Sequence, residues 1–453
     1  MTPVYNENPK LFRQVLESWK KNQPDEIIAV IDSSDVDCID EFRKFQTNFS
    51  NGKLIITRKP GKRPALADGV KAAQSTIIAL VDSDTIWDRE ILPKMLAPFT
   101  DPLVGGVAPR QKVFKPDTLA RRLFDIRLDD RYLTEIAYLS VVGNAVTCLS
   151  GRTALYRKKA IVDLLDKMVN ETFLGKKCIS GDDKCLTNLV QAHRWQVRYQ
   201  SNAHVFTPGV PDLLTFFKQN IRWARNSWRA DLKAVSSRWL WNEPFLAFHL
   251  CDRFVQPLSL LLGPIFLIFS VAEGYWPITL TLLAWWCISR GLKIYPHLLD
   301  QPTDLLLLPL YVVSTYSIAV IRIYALLTLN KQGWITRWDT GRLRRWSLLK
   351  AIPSYVGTVS ILFLLAAGVE QYKLSVAKTY TSPRSNGIND VLINQERERL
   401  SSREPQNDSI ERTIMESRDD EMMRNWLGRD TSWAYLIDSR GRGNAEGNSI
   451  ETH

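Results

Sequence analysis

Two carboxylates, one residue apart, close an apolar run in this chain: Ile78-Ala79-Leu80-Val81-Asp82-Ser83-Asp84. In an extended backbone alternate side chains point the same way, so Asp82 and Asp84 share a face. Ionised carboxylates only accept, which suits a hard divalent cation such as Mg²⁺ or Mn²⁺ bridging to substrate phosphates. A solvated turn at a strand end is the plainer reading of the same residues. A second acidic pair lies in Ile179-Ser180-Gly181-Asp182-Asp183-Lys184. A carboxylate there can accept the proton of an attacking hydroxyl, or the pair can simply cap a helix start.

The third constellation is Gln219-Asn220-Ile221-Arg222-Trp223, extended by Arg225, Trp228 and Arg229. At helical spacing Gln219, Arg222 and Trp223 lie on one face. A guanidinium forks onto phosphate oxygens and an indole can stack on a sugar ring. An amphipathic helix at a membrane surface would show the same Trp and Arg pattern. The fourth is the basic turn Arg58-Lys59-Pro60-Gly61-Lys62-Arg63-Pro64. Placed before a helix it can cradle a diphosphate, or it can be a solvated loop.

The elements that must hold these groups alternate. Glu26 to Ile31, Lys53 to Thr57 and Thr76 to Val81 read as buried strands, with helical patterns over Pro9 to Lys21 and Pro64 to Ala73. Such alternation predicts an α/β domain over residues 1–240 with a doubly wound, mostly parallel sheet. Ligands in such sheets bind beyond the carboxyl ends of the strands. Asp32 and Asp35 close one expected strand, and Asp82 and Asp84 close another.

Beyond residue 245 the pattern changes. Apolar runs cover 254–272, 275–293, 305–329 and 352–369. A bilayer core takes about 20 apolar residues per helix, so the first, second and fourth are expected to span. Pro309 and Arg322 interrupt the third, which either spans or lies at the interface. A C-terminal α-helical transmembrane region over 245–370 therefore follows the catalytic domain, with a basic loop over 331–345. Residues 371–453, rich in Arg, Glu, Asp and Ser, read as a disordered charged tail. Met1 to Glu7 is polar and turn-like, so insertion is expected from the internal segments.

The formal net charge is +11. No nucleic-acid motif accompanies it, which leaves an anionic membrane surface or a phosphate-bearing substrate as the partner. The six cysteines show no CxxC spacing and read as reduced, buried thiols rather than metal ligands.

Taken in order, TPVYNE, IDSSD, KPGKRPAL, VDSD, SGDD, QNIRW and the apolar segments resemble the processive family 2 glycosyltransferases with a GT-A fold. These are the synthases of hyaluronan, chitin and cellulose. The likeness is strongest to the type 2 glycosyltransferases of fungi, and it covers residues 2–370. The resemblance implies that Tyr5, Glu7 and Asp32 contact the nucleoside. It implies that Lys62 and Arg63 approach the uracil or diphosphate, and that Asp82 and Asp84 hold the diphosphate and its Mg²⁺ or Mn²⁺. Asp183 would be the base. Gln219, Arg222 and Trp223 would line the acceptor end and the leaving diphosphate. Trp334 and Arg337 sit in Gly333-Trp334-Ile335-Thr336-Arg337, similar to a loop that closes over the active site, with Ile335 where the family usually has Gly. Ser150-Gly151-Arg152 resembles the family's segment near the acceptor.

By this resemblance the chain would polymerise sugar from a UDP-sugar donor into a β-linked polysaccharide. It would be an integral protein of the plasma membrane with a cytosolic catalytic domain, and its partners would be the UDP-sugar, the growing polysaccharide and the lipid bilayer. The rival reading is a non-processive enzyme that moves one sugar onto a lipid carrier. A catalytically dead scaffold would have lost acids, and all three acidic motifs are intact. The family usually has membrane helices and a further strand before TPVYNE, and that strand is expected to be missing here. The loop 331–345 must be cytosolic if it closes over the nucleotide, which requires that 305–329 does not cross. The tail would then be extracytoplasmic, leaving Asn407 of Asn407-Asp408-Ser409 open to glycosylation.

Overall fold

Ten strands and thirteen α-helices occur among residues 1–332, the residues that this structure, a computed structural model, describes. The segment 352–369, Trp334, Arg337 and the tail lie outside them.

The first helices form where local chemistry allows. After β1 (Thr2–Val4), Asn8 caps α1 (Pro9–Lys20) by accepting from the backbone amides of Lys10 (3.0 Å) and Leu11 (3.2 Å). Pro9 sits in the first turn, where a missing amide costs nothing. β2 (Ile27–Asp32), α2 (Val36–Gln46), β3 (Gly52–Thr57), α3 (Lys62–Ala72) and β4 (Ile77–Val81) follow within a few residues of the expected bounds. Next come β5 (Ile86–Trp87), α4 (Ile91–Leu96), β6 (Val104–Val113) and α5 (Leu119–Asp130). A π-helical turn, Arg131–Glu135, joins α5 to α6 (Ile136–Gly143). Then follow β7 (Thr153–Arg157), α7 (Lys158–Ile161), α8 (Leu165–Val169) and the small hairpin of β8 (Thr172–Phe173) and β9 (Lys176–Lys177). α9 (Asp182–Ala192), β10 (Gln196–Thr207) and α10 (Leu213–Val235) complete the domain.

The strands lie in the order β3-β2-β1 and β4-β7-β6-β10-β5. β1, β2 and β3 run parallel. The short β1 lies between β2 and β4. Met1 donates its amine to the Ala79 carbonyl (2.6 Å) and accepts from the Val81 amide (3.1 Å), so it brackets Leu80 as a parallel neighbour does and joins the two sheets. β6 and β10 are parallel, whereas β7 and β5 pair antiparallel with their neighbours. The sheet is therefore mixed, with β4, β6 and β10 pointing the same way around an inverted β7.

Alternation along β2 splits the core. Ile27, Ala29 and Ile31 face α1, α2 and α4, while Ile28 and Val30 face α3 and α5. Both layers are helical, so the sheet is covered on two sides and its carboxyl ends are left for ligand.

Three long helices follow: α11 (Pro244–Ala272), α12 (Trp276–Asp300) and α13 (Leu308–Leu327). By length and composition Pro244–Ala272 and Pro302–Leu327 could cross a membrane. Leu258, Leu262, Phe266 and Ile268 of α11, and Leu280, Trp285 and Leu292 of α12, are exposed. That much bare apolar surface is unusual for a protein surrounded by water. Pro309 does not break α13, because it falls in the first turn. Arg322 lies over the Trp228 ring and donates to Gln256 Oε1 (3.1 Å) and the Arg253 carbonyl (2.8 Å), so its charge faces protein. Both ends of α13 meet the catalytic domain: Tyr311 donates to Asp130 (2.7 Å) near its start, and Arg225 donates to Thr328 (3.0 Å) past its end.

Candidate active site

A cavity of about 1590 Å³ opens at the carboxyl ends of β1, β2 and β4. Small-molecule sites usually occupy about 300–1,000 Å³, so this one has room for two ligands. Tyr5, Glu7, Asp32, Lys62, Asp82, Asp84, Asp183, Gln219, Arg222 and Trp223 all line it.

Its floor is a charge triangle. Lys62 Nζ lies 2.6 Å from Asp82 Oδ1 and 3.1 Å from Asp182 Oδ2. Gly151 makes this approach feasible, since a Cβ there would stand 3.0 Å from that amine and 3.6 Å from Asp82 Oδ1. Burial pushes the Asp82 carboxyl up to about 6, with Lys62 pulling it down and Asp84 pushing it further up. Burial opposes the Lys62 charge, but Asp182 and Asp82 outweigh it and hold that amine above its ordinary value. Glu7 braces the same corner: it accepts from Ser83 Oγ (2.9 Å) and from the Asn8 amide (2.9 Å).

The second acidic pair opens α9, yet neither acid caps it. The capping position belongs to Gly181, whose φ of 82° is left-handed backbone that favours glycine. A Cβ there would also crowd Asn226 at 3.2 Å. Asp182 turns to Lys62. Asp183 faces the cavity and accepts from the amides of Lys184 (2.8 Å) and Gly151 (3.4 Å).

On α10, Asp212 caps the helix by accepting from the Thr215 amide (2.8 Å). Gln219, Arg222 and Trp223 then line the cavity together, as the spacing predicts. Gln219 Oε1 is buried without a partner among the described residues. A buried acceptor of this kind calls for a donor from something else, such as a hydroxyl. The Arg152 guanidinium lies 5.3 Å from the Trp223 ring centroid, and Phe124 packs at 5.9 Å. Burial lowers the Arg222 guanidinium, and Asp183, Asp82 and Asp182 counter that.

One expected site residue is elsewhere. Arg63 does not line the cavity and is 3% exposed. Successive helical residues differ by about 100°, so when Lys62 points into the site Arg63 points into the core. There it donates to the carbonyls of Met168 (2.5 Å) and Ser180 (3.0 Å) and to Glu171 (2.7 Å). It clamps α3 to the segment preceding α9. Arg63→Met should destabilise the fold by about 3 kcal/mol, the low end for breaking a buried pair, because Glu171 keeps Lys233 at 2.8 Å. A drop in the melting temperature of detergent-purified protein checks this, and donor binding by the fraction still folded should be unchanged.

The chemistry of Asp82 and Asp84, hard acceptors side by side at a strand end, fits a divalent cation. Among the described residues one group of three, Asp125, Asp129 and His297, is also close enough to hold a metal ion. It lies outside the cavity, and its imidazole already bonds Asp129 and Asp304, both at 2.9 Å. Sequence reading had no signal for Arg131, Glu135 and Arg253, which also line the cavity, because their π turn and helix approach only in the folded chain.

Residues 1–226 match a family model described as "Glycosyltransferase like family 2". A "Type 2 glycosyltransferase" of Zymoseptoria tritici is 26% identical over 373 residues, 79% of each chain. A protein of the same description from Pyricularia oryzae is 27% identical over 359 residues, 74% of this chain and 73% of that one. A hyaluronan synthase of Streptococcus pyogenes is 28% identical over 347 residues, 74% of this chain and 82% of that one. Among solved structures, the mannosyltransferase PcManGT from Pyrobaculum calidifontis in complex with GDP-Man and Mn²⁺ aligns with a TM-score of 0.47 at 18% identity, covering 75% of this chain and 86% of that one.

Proposed function

We propose that this chain, which carries a family 2 glycosyltransferase domain over residues 1–226 and has fungal type 2 glycosyltransferases and hyaluronan synthase as homologues, is a membrane-embedded, processive, inverting polymerase of sugar from a UDP-sugar. One observation carries the reading. The cavity that holds the acids continues past Trp223 to Gln256, Leu260, Arg290, Thr315 and Ile318 of the apolar helices. A growing chain needs such a path, and the charged and polar lining at Gln256, Arg290, Lys293 and Arg322 suits a sugar chain better than the tail of a lipid carrier.

The nucleoside would lie toward Tyr5 and Asp32, and the diphosphate beside Lys62 and Arg222. Mg²⁺ or Mn²⁺ held by Asp82 and Asp84 would offset negative charge on the diphosphate. Asp183 accepts the proton of the acceptor hydroxyl as its oxygen attacks the anomeric carbon. The bond from that carbon to the diphosphate oxygen breaks, UDP leaves with the electron pair, and an α-linked donor gives a β linkage. Arg222 meets the charge that grows on the leaving group. Trp223, which packs against Arg152 and Phe124 and lines the cavity, would meet the acceptor sugar.

The exposed apolar faces of α11 and α12 support a membrane hairpin that leaves and returns to the catalytic domain, with α11 long and apolar enough to cross and α12 less apolar. Pro302–Leu327 is long and apolar enough to cross, yet contacts with the catalytic domain at both ends of α13 favour a helix that lies along that domain. The segment after Leu327 then stays with the active site: Gln332 accepts from the Ile179 amide (2.9 Å), beside the acidic pair. The loop 331–345 and the catalytic domain would both be cytosolic, at the plasma membrane.

Product length tests the reading. Membranes given radiolabelled UDP-sugars singly and in pairs should yield long chains with few short intermediates. Trp223→Ala should shorten them, since stacking on one sugar is worth about 1 kcal/mol or more. A product of one added sugar would show the carrier-lipid reaction instead.

A further inference from the structure

The residue after the candidate base is buried and turns its side chain to α10. Lys184 forms an ion pair with Asp231 at 2.5 Å, their side chains 8% and 3% exposed. Lys184 also donates to Ser227 Oγ (3.0 Å), which donates to Asp231 Oδ2 (2.9 Å). Ser227 and Asp231 follow Trp223 at steps of four along α10, so they continue the ridge that carries the indole. Arg253 of α11 donates to the same Ser227 oxygen (2.9 Å) and pairs with Glu135 of the π turn (3.1 Å). Burial disfavours the Asp231 charge, but Lys184 and Arg253 hold its carboxyl below the usual range.

A buried pair of this kind is a poor source of stability, since apolar residues of similar volume usually serve as well or better. What it supplies is direction. Four elements meet at these charges: α9 with the candidate base, α10 with the acceptor face, and α11 and the π turn, which wall the passage. π turns are frequent at functional sites. We propose that Lys184 and Asp231 are positioning residues that fix Asp183 against the acceptor face of α10, with Arg253 and Glu135 extending the alignment to the passage. This rests on the reading of Asp183 as base and Trp223 as acceptor platform.

Removing one partner strands the other charge, so Lys184→Met alone would test folding. The informative variant is Lys184→Met with Asp231→Leu in the full chain. Its melting temperature and UDP dissociation constant should stay near the parent's and the donor KM should be unchanged, while kcat falls about 10²-fold, the cost of a misplacement near 1 Å. Lys184→Arg, which can still reach Asp231, should keep kcat within about threefold. Arg253→Gln should lower kcat with the donor KM unchanged. A double variant with the parent's kcat overturns the proposal. So does one whose UDP affinity falls in step with kcat, or one that does not fold. Product length from the parent, read in the same assay, judges the processive reading separately: short products sink that reading and leave the kcat comparison standing.

Discussion

Asp183→Asn should cut sugar transfer by about 10²–10⁴-fold, the usual worth of a positioned base, and leave UDP binding nearly unchanged. The amide has the same shape and cannot take a proton. Its oxygen can still accept from the Lys184 amide, where the carboxylate now accepts at 2.8 Å. The weaker bond from the Gly151 amide, at 3.4 Å, is lost at a cost of about 1 kcal/mol or less. The fold should therefore survive, and the loss should appear in kcat rather than in the donor dissociation constant, because a base acts in the transition state. Steady-state kinetics alongside calorimetric UDP binding separates the two. Turnover near the parent's would end the assignment, and Asp182, 3.1 Å from Lys62, is too fully engaged to be a ready substitute.

Asp84→Ala should weaken divalent-metal and UDP binding together, because one strand end serves both. Asp82 cannot compensate alone: its Oδ1 already faces Lys62 at 2.6 Å. Loss of a preorganised charge partner for a leaving diphosphate costs about 10²–10³-fold in kcat, and the binding loss adds to it in kcat/KM. In the parent, chelation should stop transfer, and Mn²⁺ or Mg²⁺ should restore it. Transfer that survives exhaustive chelation would show that Lys62 and Arg222 carry the diphosphate charge alone.

Most of the site's membership was legible in the sequence, because the motifs are local. Asp82 and Asp84 are set by strand alternation, and Gln219, Arg222 and Trp223 by helical spacing. The strand bounds followed from β-branched runs, and the apolar helices from their composition. Among the described residues, Arg63 shows the limit. A basic turn announces charge near phosphate, but the angle between adjacent helical residues decides which of Lys62 and Arg63 enters the cavity. That angle depends on where α3 starts, which the left-handed Gly61 sets.

The tertiary structure alone decided three matters. The resemblance singles out Asp183 over Asp182, and the helix start gives the physical difference: Asp182 is paired with Lys62 at 3.1 Å, while Asp183 accepts from the Gly151 amide. The three-residue β1 joins the two sheets, because β2 and the end of β4 supply the partners for Met1 to Val4. Pro309 and Arg322 made the third apolar run ambiguous. Position shows why the proline leaves α13 unbroken, since a first turn has no amide bond to lose, and packing shows where the Arg322 protons go, to Gln256 and a carbonyl of α11. Residue types and near spacing are thus fixed along the chain, where covalent geometry reaches. Which charge meets which is fixed only when separate elements pack, because burial makes a misplaced charge too costly to keep.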